Sequence, residues 1–265
     1  MPETAAEPSR FSKESRENLT GMSFLDHLEE LRRRLIYSLL SVGVAFGVAW
    51  YFSDRIFDLM QRPIVQALRN HKLDEKLVYL NPTEPFNLYL KVGLVAGLFL
   101  ASPLVLYQVW LFISPGLYRR EKRYVLPFLF STVGLFLAGG YFGYRLVYPA
   151  ALDFLLGYGE QFKPMITIGE YTDLFLTVIL GLGLVFELPI LIFFLALMGV
   201  VDAGFLWRNF RYSIFVIFLI AAVVTPTTDI VNMCIFAAPM VALYVVSIGV
   251  AWLVHPQRRK ARAKS

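Results

Sequence analysis

Six long apolar runs constrain this chain more than any other feature: residues 35–52, 92–112, 125–144, 174–201, 212–225 and 230–254. A hydrocarbon layer of about 30 Å offers the backbone no hydrogen-bonding partner, and roughly 20 helical residues cross it. Spanning strands would need only about 10 residues each. Runs of this length therefore predict an all-α integral membrane protein with six transmembrane helices. The fifth run is short: 14 residues reach only about 21 Å at 1.5 Å per residue. It either thins the bilayer or dips in and turns back at Thr225-Pro226-Thr227-Thr228-Asp229. In both cases the last two segments form a tight pair, and both termini lie on one side.

Composition agrees. Of 265 residues, 57% are hydrophobic and 17% charged, against about a quarter charged in an ordinary soluble domain. The net charge of +5 does not signal nucleic acid, because the cations sit in loops beside apolar spans. Counted by face, the N-terminal segment, 113–124, 200–211 and the tail hold 17 Lys and Arg, while 54–86 and 150–170 hold six. The positive-inside rule then places both termini in the cytoplasm. The first twenty residues are polar and no cleavage site follows the first apolar run, so that run is expected to stay as an anchor. The lone Cys234 and the absence of any Cys/His cluster suggest neither disulfide, metal nor cofactor. The expected organisation is a disordered cytoplasmic segment 1–22, a membrane domain 23–254 and a basic cytoplasmic tail 255–265.

In SFLDHLEELRRRL, Phe24, Leu28, Leu31 and Leu35 recur at helical spacing, with charges on the remaining arc. This predicts an amphipathic turn or two on the interface, leading into the first span, with Ser23 and Asp26 as a capping box. Pro103, Pro127, Pro189 and Pro239 interrupt the spans and remove backbone donors, and each carbonyl thereby freed must find another partner in lipid.

Three acids stand out. Glu121 sits among Arg119, Arg120, Lys122 and Arg123; its plain reading is a solvated loop acid with weak exposed ion pairs. Glu30 can pair with Arg34 at i, i+4. Alternatively the two carboxylates, on one membrane face, together receive two guanidinium groups through charge-assisted hydrogen bonds. Glu187, mid-span in LVFELPIL, must face the interior, a watery concavity or another subunit, either as a packing contact or as a functional group. Asp229 reads as a solvated turn acid. His27, His71 and His255 make no constellation. No nucleophile pairing, P-loop or nucleotide domain is present, so no enzymatic activity is expected.

HLEELRRRL before the first span, LYQVWLFISPGLYRREKR, FELPI and TPTTD, in that order, resemble the TatC family over about residues 22–254. This family supplies the multispanning receptor of the twin-arginine protein translocase. The resemblance implies a concave six-helix cup with short fifth and sixth helices in the bacterial inner membrane. It implies that Glu121 and Glu30, with Glu29 adjacent, contact the paired arginines of a signal peptide. Arg32 matches the E-L-R pattern, and Phe112 the aromatic before the loop. Pro63, in QRPIVQAL, matches a proline of the first external loop, and Glu187 the mid-membrane acid. TPTTDIVNM departs from the family form: Met233 holds a polar place, and Asn232, with Asp229, is the candidate substitute for partner docking. Implied partners are twin-arginine leaders, single-span TatA/TatB-type subunits and further copies of the chain, with export driven by the proton-motive force. The competing function is an ion-coupled secondary transporter with Glu187 in the coupling site, which short and proline-interrupted spans favour.

Overall fold

The structure, a computed structural model, describes residues 24–113, 125–159, 161–162, 164–197, 199–224 and 229–254. Segment 1–22, the Ser23 cap, Glu121 with its neighbouring cations, the turn 225–228 and the tail 255–265 lie outside the described residues.

All six apolar runs are helical. They form α1 (Phe24–Tyr51), α4 (Glu84–Ile113), α5 (Val125–Phe142), α7 with α8 (Ile168–Val185 and Leu188–Leu197), α10 (Phe210–Val224) and α11 (Ile230–Val254). Four stretches are long and apolar enough to cross a membrane, namely His27–Tyr51, Glu84–Phe112, Ile168–Leu197 and Ile230–Leu253. Phe210–Val223 is a shorter apolar helix, in keeping with the 14-residue run that the sequence offers there, and it packs against α11. The expected amphipathic lead-in is no separate turn: α1 runs for 28 residues without a break, about 42 Å. Nothing in LEELRRRLIYSLL breaks a helix, so the charged turns and the apolar ones form one rod.

The segments between runs hold more helix than a hydropathy reading reveals. Residues 53–86 contain α2 (Ser53–Met60) and α3 (Arg62–Asn70), and α6 (Tyr148–Tyr158) and α9 (Ala203–Arg208) lie in other connections. These helices have 6 to 11 residues, too short to register as spans. Asp202 caps α9 by accepting the Phe205 N–H at 2.5 Å. Between α5 and α6 the helix widens into a π turn, Gly143–Val147. Among the described residues the sole sheet-like pairing is one parallel bridge between Val78 and Thr167, which ties the 71–83 segment to the start of α7.

The prolines behave as backbone chemistry requires. Pro103 lies inside α4 and denies the Phe99 carbonyl its usual donor; the Ser102 hydroxyl donates to that carbonyl at 2.7 Å instead. Pro189 follows the break at Phe186–Glu187 that separates α7 from α8. The Gly199 backbone, at φ 75°, ends α8 in the left-handed turn that lets the Val200 N–H reach the Leu195 carbonyl at 2.8 Å.

The core gathers around the start of α7. Tyr148 is fully buried, Tyr171 and Phe175 pack on it, and the Tyr171 hydroxyl donates to the Met60 carbonyl. The Tyr144 hydroxyl donates to the Leu59 carbonyl at 2.8 Å. Two phenols from the membrane helices thus satisfy the carboxyl end of α2 and dock it. Two glycines set the closest helix crossings. A Cβ on Gly97 would lie 2.8 Å from the Phe46 backbone of α1, and one on Gly139 would lie 2.6 Å from the Leu182 carbonyl of α7. Gly97→Val is expected to cost about 1–3 kcal/mol by overpacking the α1–α4 seam. Thermal unfolding in detergent measures this, with Gly134→Val, which meets nothing within 4 Å, staying near wild type.

Candidate functional site

The site grows from the seam between α1 and α4. Glu30, Arg34, Ser38, Val42, Ala45 and Ala49 repeat at helical spacing and are the less exposed positions of α1. Leu31, Leu35, Leu39 and Val44 point away and are exposed. The apolar stripe read from the sequence therefore faces outward, and of the charged arc Glu30 and Arg34 turn toward α4 while Glu29 and Arg33 stay exposed. In a membrane this is sensible, because leucines belong in lipid and ionic groups against a partner helix.

At the rim where α1 begins and α4 ends, Arg34 donates twice. One nitrogen reaches Glu30 Oε1 at 3.2 Å, and the other reaches Gln108 Oε1 at 3.3 Å. The Glu30 side chain is 10% exposed and that of Arg34 20%. Glu30 Oε2 and Arg34 Nε are buried with no hydrogen-bond partner among the described residues. A carboxylate anchored by one oxygen and bare at the other is pre-oriented for a further donor, and leaving it unmet costs free energy. One turn toward the N-terminus, the His27 ring stacks on Phe112, centroids 4.4 Å apart. The rim thus presents a held acid beside an aromatic pair.

The expected site residues fall into separate groups. Glu30 and Phe112 come together here, while Glu29 and Arg32 project from α1 and are exposed. Glu121 lies outside the described residues. The i, i+4 pairing of Glu30 with Arg34 is present as the sequence suggested; Gln108, a third member, comes from 74 residues away. Its signal in the sequence is a lone amide in LYQVWLF, an otherwise apolar run. His27, read as belonging to no constellation, stacks instead on a predicted site residue.

Glu187 belongs to other helices. It occupies the break between α7 and α8, its backbone carbonyl accepts from Leu191 at 2.9 Å, and its Oε1 is buried without a partner among the described residues. Phe186 beside it packs on Phe142, with ring centroids 5.5 Å apart, in the groove left by Gly139. Pro63 is buried in the first turn of α3, where a missing N–H is harmless. Asp229, expected to be a solvated turn acid, instead caps α11: the Asn232 N–H donates to its Oδ1 at 2.7 Å. Asn232 is 2% exposed and also donates its amide to Asp229 Oδ2 at 3.3 Å. The two act as one polar cap.

Removing Arg34 alone strands the Glu30 carboxylate, on the order of 3 kcal/mol for a buried pair. Arg34→Leu is therefore expected to lower the unfolding temperature in detergent more than the double replacement Glu30→Leu/Arg34→Leu does.

With this geometry in view, comparison with known proteins is decisive. The family model for the Sec-independent protein translocase protein TatC matches residues 26–239. The TatC protein of Koribacter versatilis (strain Ellin345) is 66% identical over 265 residues, covering 100% of this chain and 98% of the relative. That of Aquifex aeolicus (strain VF5) is 34% identical over 242 residues, 90% of this chain and 98% of the relative. A crystal structure described as the twin arginine translocase receptor TatC superposes with a TM-score of 0.78 at 35% identity, covering 86% of this chain and 99% of that one. Sequence, length and fold agree, and the chain belongs to the TatC family of Sec-independent protein translocase proteins.

Proposed function

We propose that this chain is the signal-peptide receptor and core subunit of a twin-arginine translocase, reading Arg-Arg leaders at the rim formed by Glu30 and the segment carrying Glu121. The observation that carries the reading is the Glu30 carboxylate. One oxygen is fixed by Arg34 and the other is buried and unclaimed, a setting that favours a planar guanidinium over an ammonium. Phe112, stacked on His27, supplies an aromatic face beside it. Glu121, in the stretch of sequence that follows α4, is the second acid of this reading, with Glu29 and Arg32 on the accessible arc of α1.

In this reading six spans place both termini in the cytoplasm of a bacterial cell, with the chain in its inner membrane. The rim then faces folded cargo before export. The bound leader and single-span TatA/TatB-type subunits assemble with one or more copies of the chain, and the proton-motive force drives translocation. The Asp229–Asn232 cap and the buried Pro63 turn support surfaces where such partners dock. The chain acts as a receptor, not an enzyme.

A second reading is favoured by one observation, the partnerless Glu187 oxygen at a helix break: an ion-coupled transporter with that acid in the coupling site. The two readings separate cleanly. In membranes, Glu30→Ala is expected to weaken photocrosslinking of an Arg-Arg leader by about 10- to 100-fold, the equivalent of one charge-assisted hydrogen bond. Capture of a Lys-Lys leader should change little. Equal losses for both peptides would count against guanidinium reading. Glu187→Gln should leave leader capture intact; Glu187-dependent uptake of a small solute into proteoliposomes would instead favour the transporter.

A further inference from the structure

At the other end of α4 from Glu30, an apolar groove of about 320 Å³ opens between α2, α4, α5 and α7. Leu59, Val92, Ala96, Leu137, Phe175 and Ile179 are among its walls. Its volume is that of a small ligand site, yet no wall residue is charged. The groove runs from Phe99, well inside α4, to Tyr144 beside the docked end of α2.

Two cations stand at that mouth. Arg62 opens α3 two residues after the wall residue Met60, and Arg145 follows the wall residue Tyr144 in the π turn. Both are exposed. The nearest acid along the chain from Arg62, Asp58, is taken up by Gln61 at 3.1 Å. Among the described residues neither guanidinium makes an ion pair or hydrogen bond.

We propose that this groove binds one anionic phospholipid, with one of its two acyl chains along Leu59, Ala96 and Ile179, the other in the bilayer, and its phosphodiester between Arg62 and Arg145. An uncharged tail slot beneath two unpartnered guanidinium groups matches one molecule with an apolar end and an anionic end. Guanidinium is the side chain best shaped for phosphate oxygens. A peptide helix, about 10 Å across, fits less well in a groove of about 320 Å³. The proposal stands independently of the leader-binding reading.

The test is native mass spectrometry of the full chain released from detergent micelles, titrated with phosphatidylglycerol or with phosphatidylcholine. One phosphatidylglycerol per chain is expected to be retained in preference to phosphatidylcholine. Arg62→Gln/Arg145→Gln should reduce that retention by about tenfold or more, the loss of at least one charge-assisted contact, while unfolding as wild type. Ala96→Phe, which fills the slot and leaves both cations, should abolish it. Equal retention of the two lipids, undiminished binding by the double arginine variant, or normal binding by Ala96→Phe would each overturn the proposal. So would full displacement by inorganic phosphate, which would mean that the slot contributes nothing.

Discussion

The backbone's need for partners in a medium without water governs this molecule. It makes every apolar run helical, and it also decides what happens where a helix is interrupted. Pro103 frees a carbonyl and Ser102 takes it. The end of α2 leaves carbonyls at Leu59 and Met60, and Tyr144 and Tyr171 take those. Thr132, Thr172 and Ser247 bond back to carbonyls four residues earlier, so these three hydroxyls serve the backbone of their own helices. Against that background a polar atom left without a partner is conspicuous, and Glu30 Oε2 and Glu187 Oε1 are two such atoms.

The seam between α1 and α4 shows how one packing contact organises a rim. Gly93 and Gly97 let Phe46 and Trp50 approach, and this close crossing carries α1 alongside α4 as far as Gln108. Only then can Arg34 bridge Glu30 on its own helix and the amide on its neighbour. The electrostatics of the rim thus rest on two missing side chains in the middle of the span.

Much of this was legible in the sequence, and the rest was hidden for identifiable reasons. Span positions follow from run length, and α11 falls on the residues predicted, Ile230–Val254. The Glu30–Arg34 pair follows from i, i+4 spacing, which any helix enforces. The short helices α2, α3 and α6 did not show, because a window sized to cross a bilayer averages them with polar turns. Amphipathic stretches such as SDRIFDLM carried the missed signal. Gln108 joining Glu30, and the Asp229–Asn232 cap replacing a free turn acid, both depend on contacts or cap geometry that spacing alone does not reveal. Glu121 was the most conspicuous acid in the sequence and lies outside the described residues, whereas Glu30, the plainer one, has the more informative surroundings.

The π turn at Gly143–Val147 has a genetic corollary. A wide turn is an ordinary one with a residue added, so deleting one residue there would tighten the coil instead of severing it. Because the wide turn and the ordinary one cover nearly the same arc, α6 would keep its facing and Tyr148 its buried position. The extra residue is slack taken up within one turn, and the rod downstream would tolerate its loss where a deletion elsewhere in the same helix would not be forgiven.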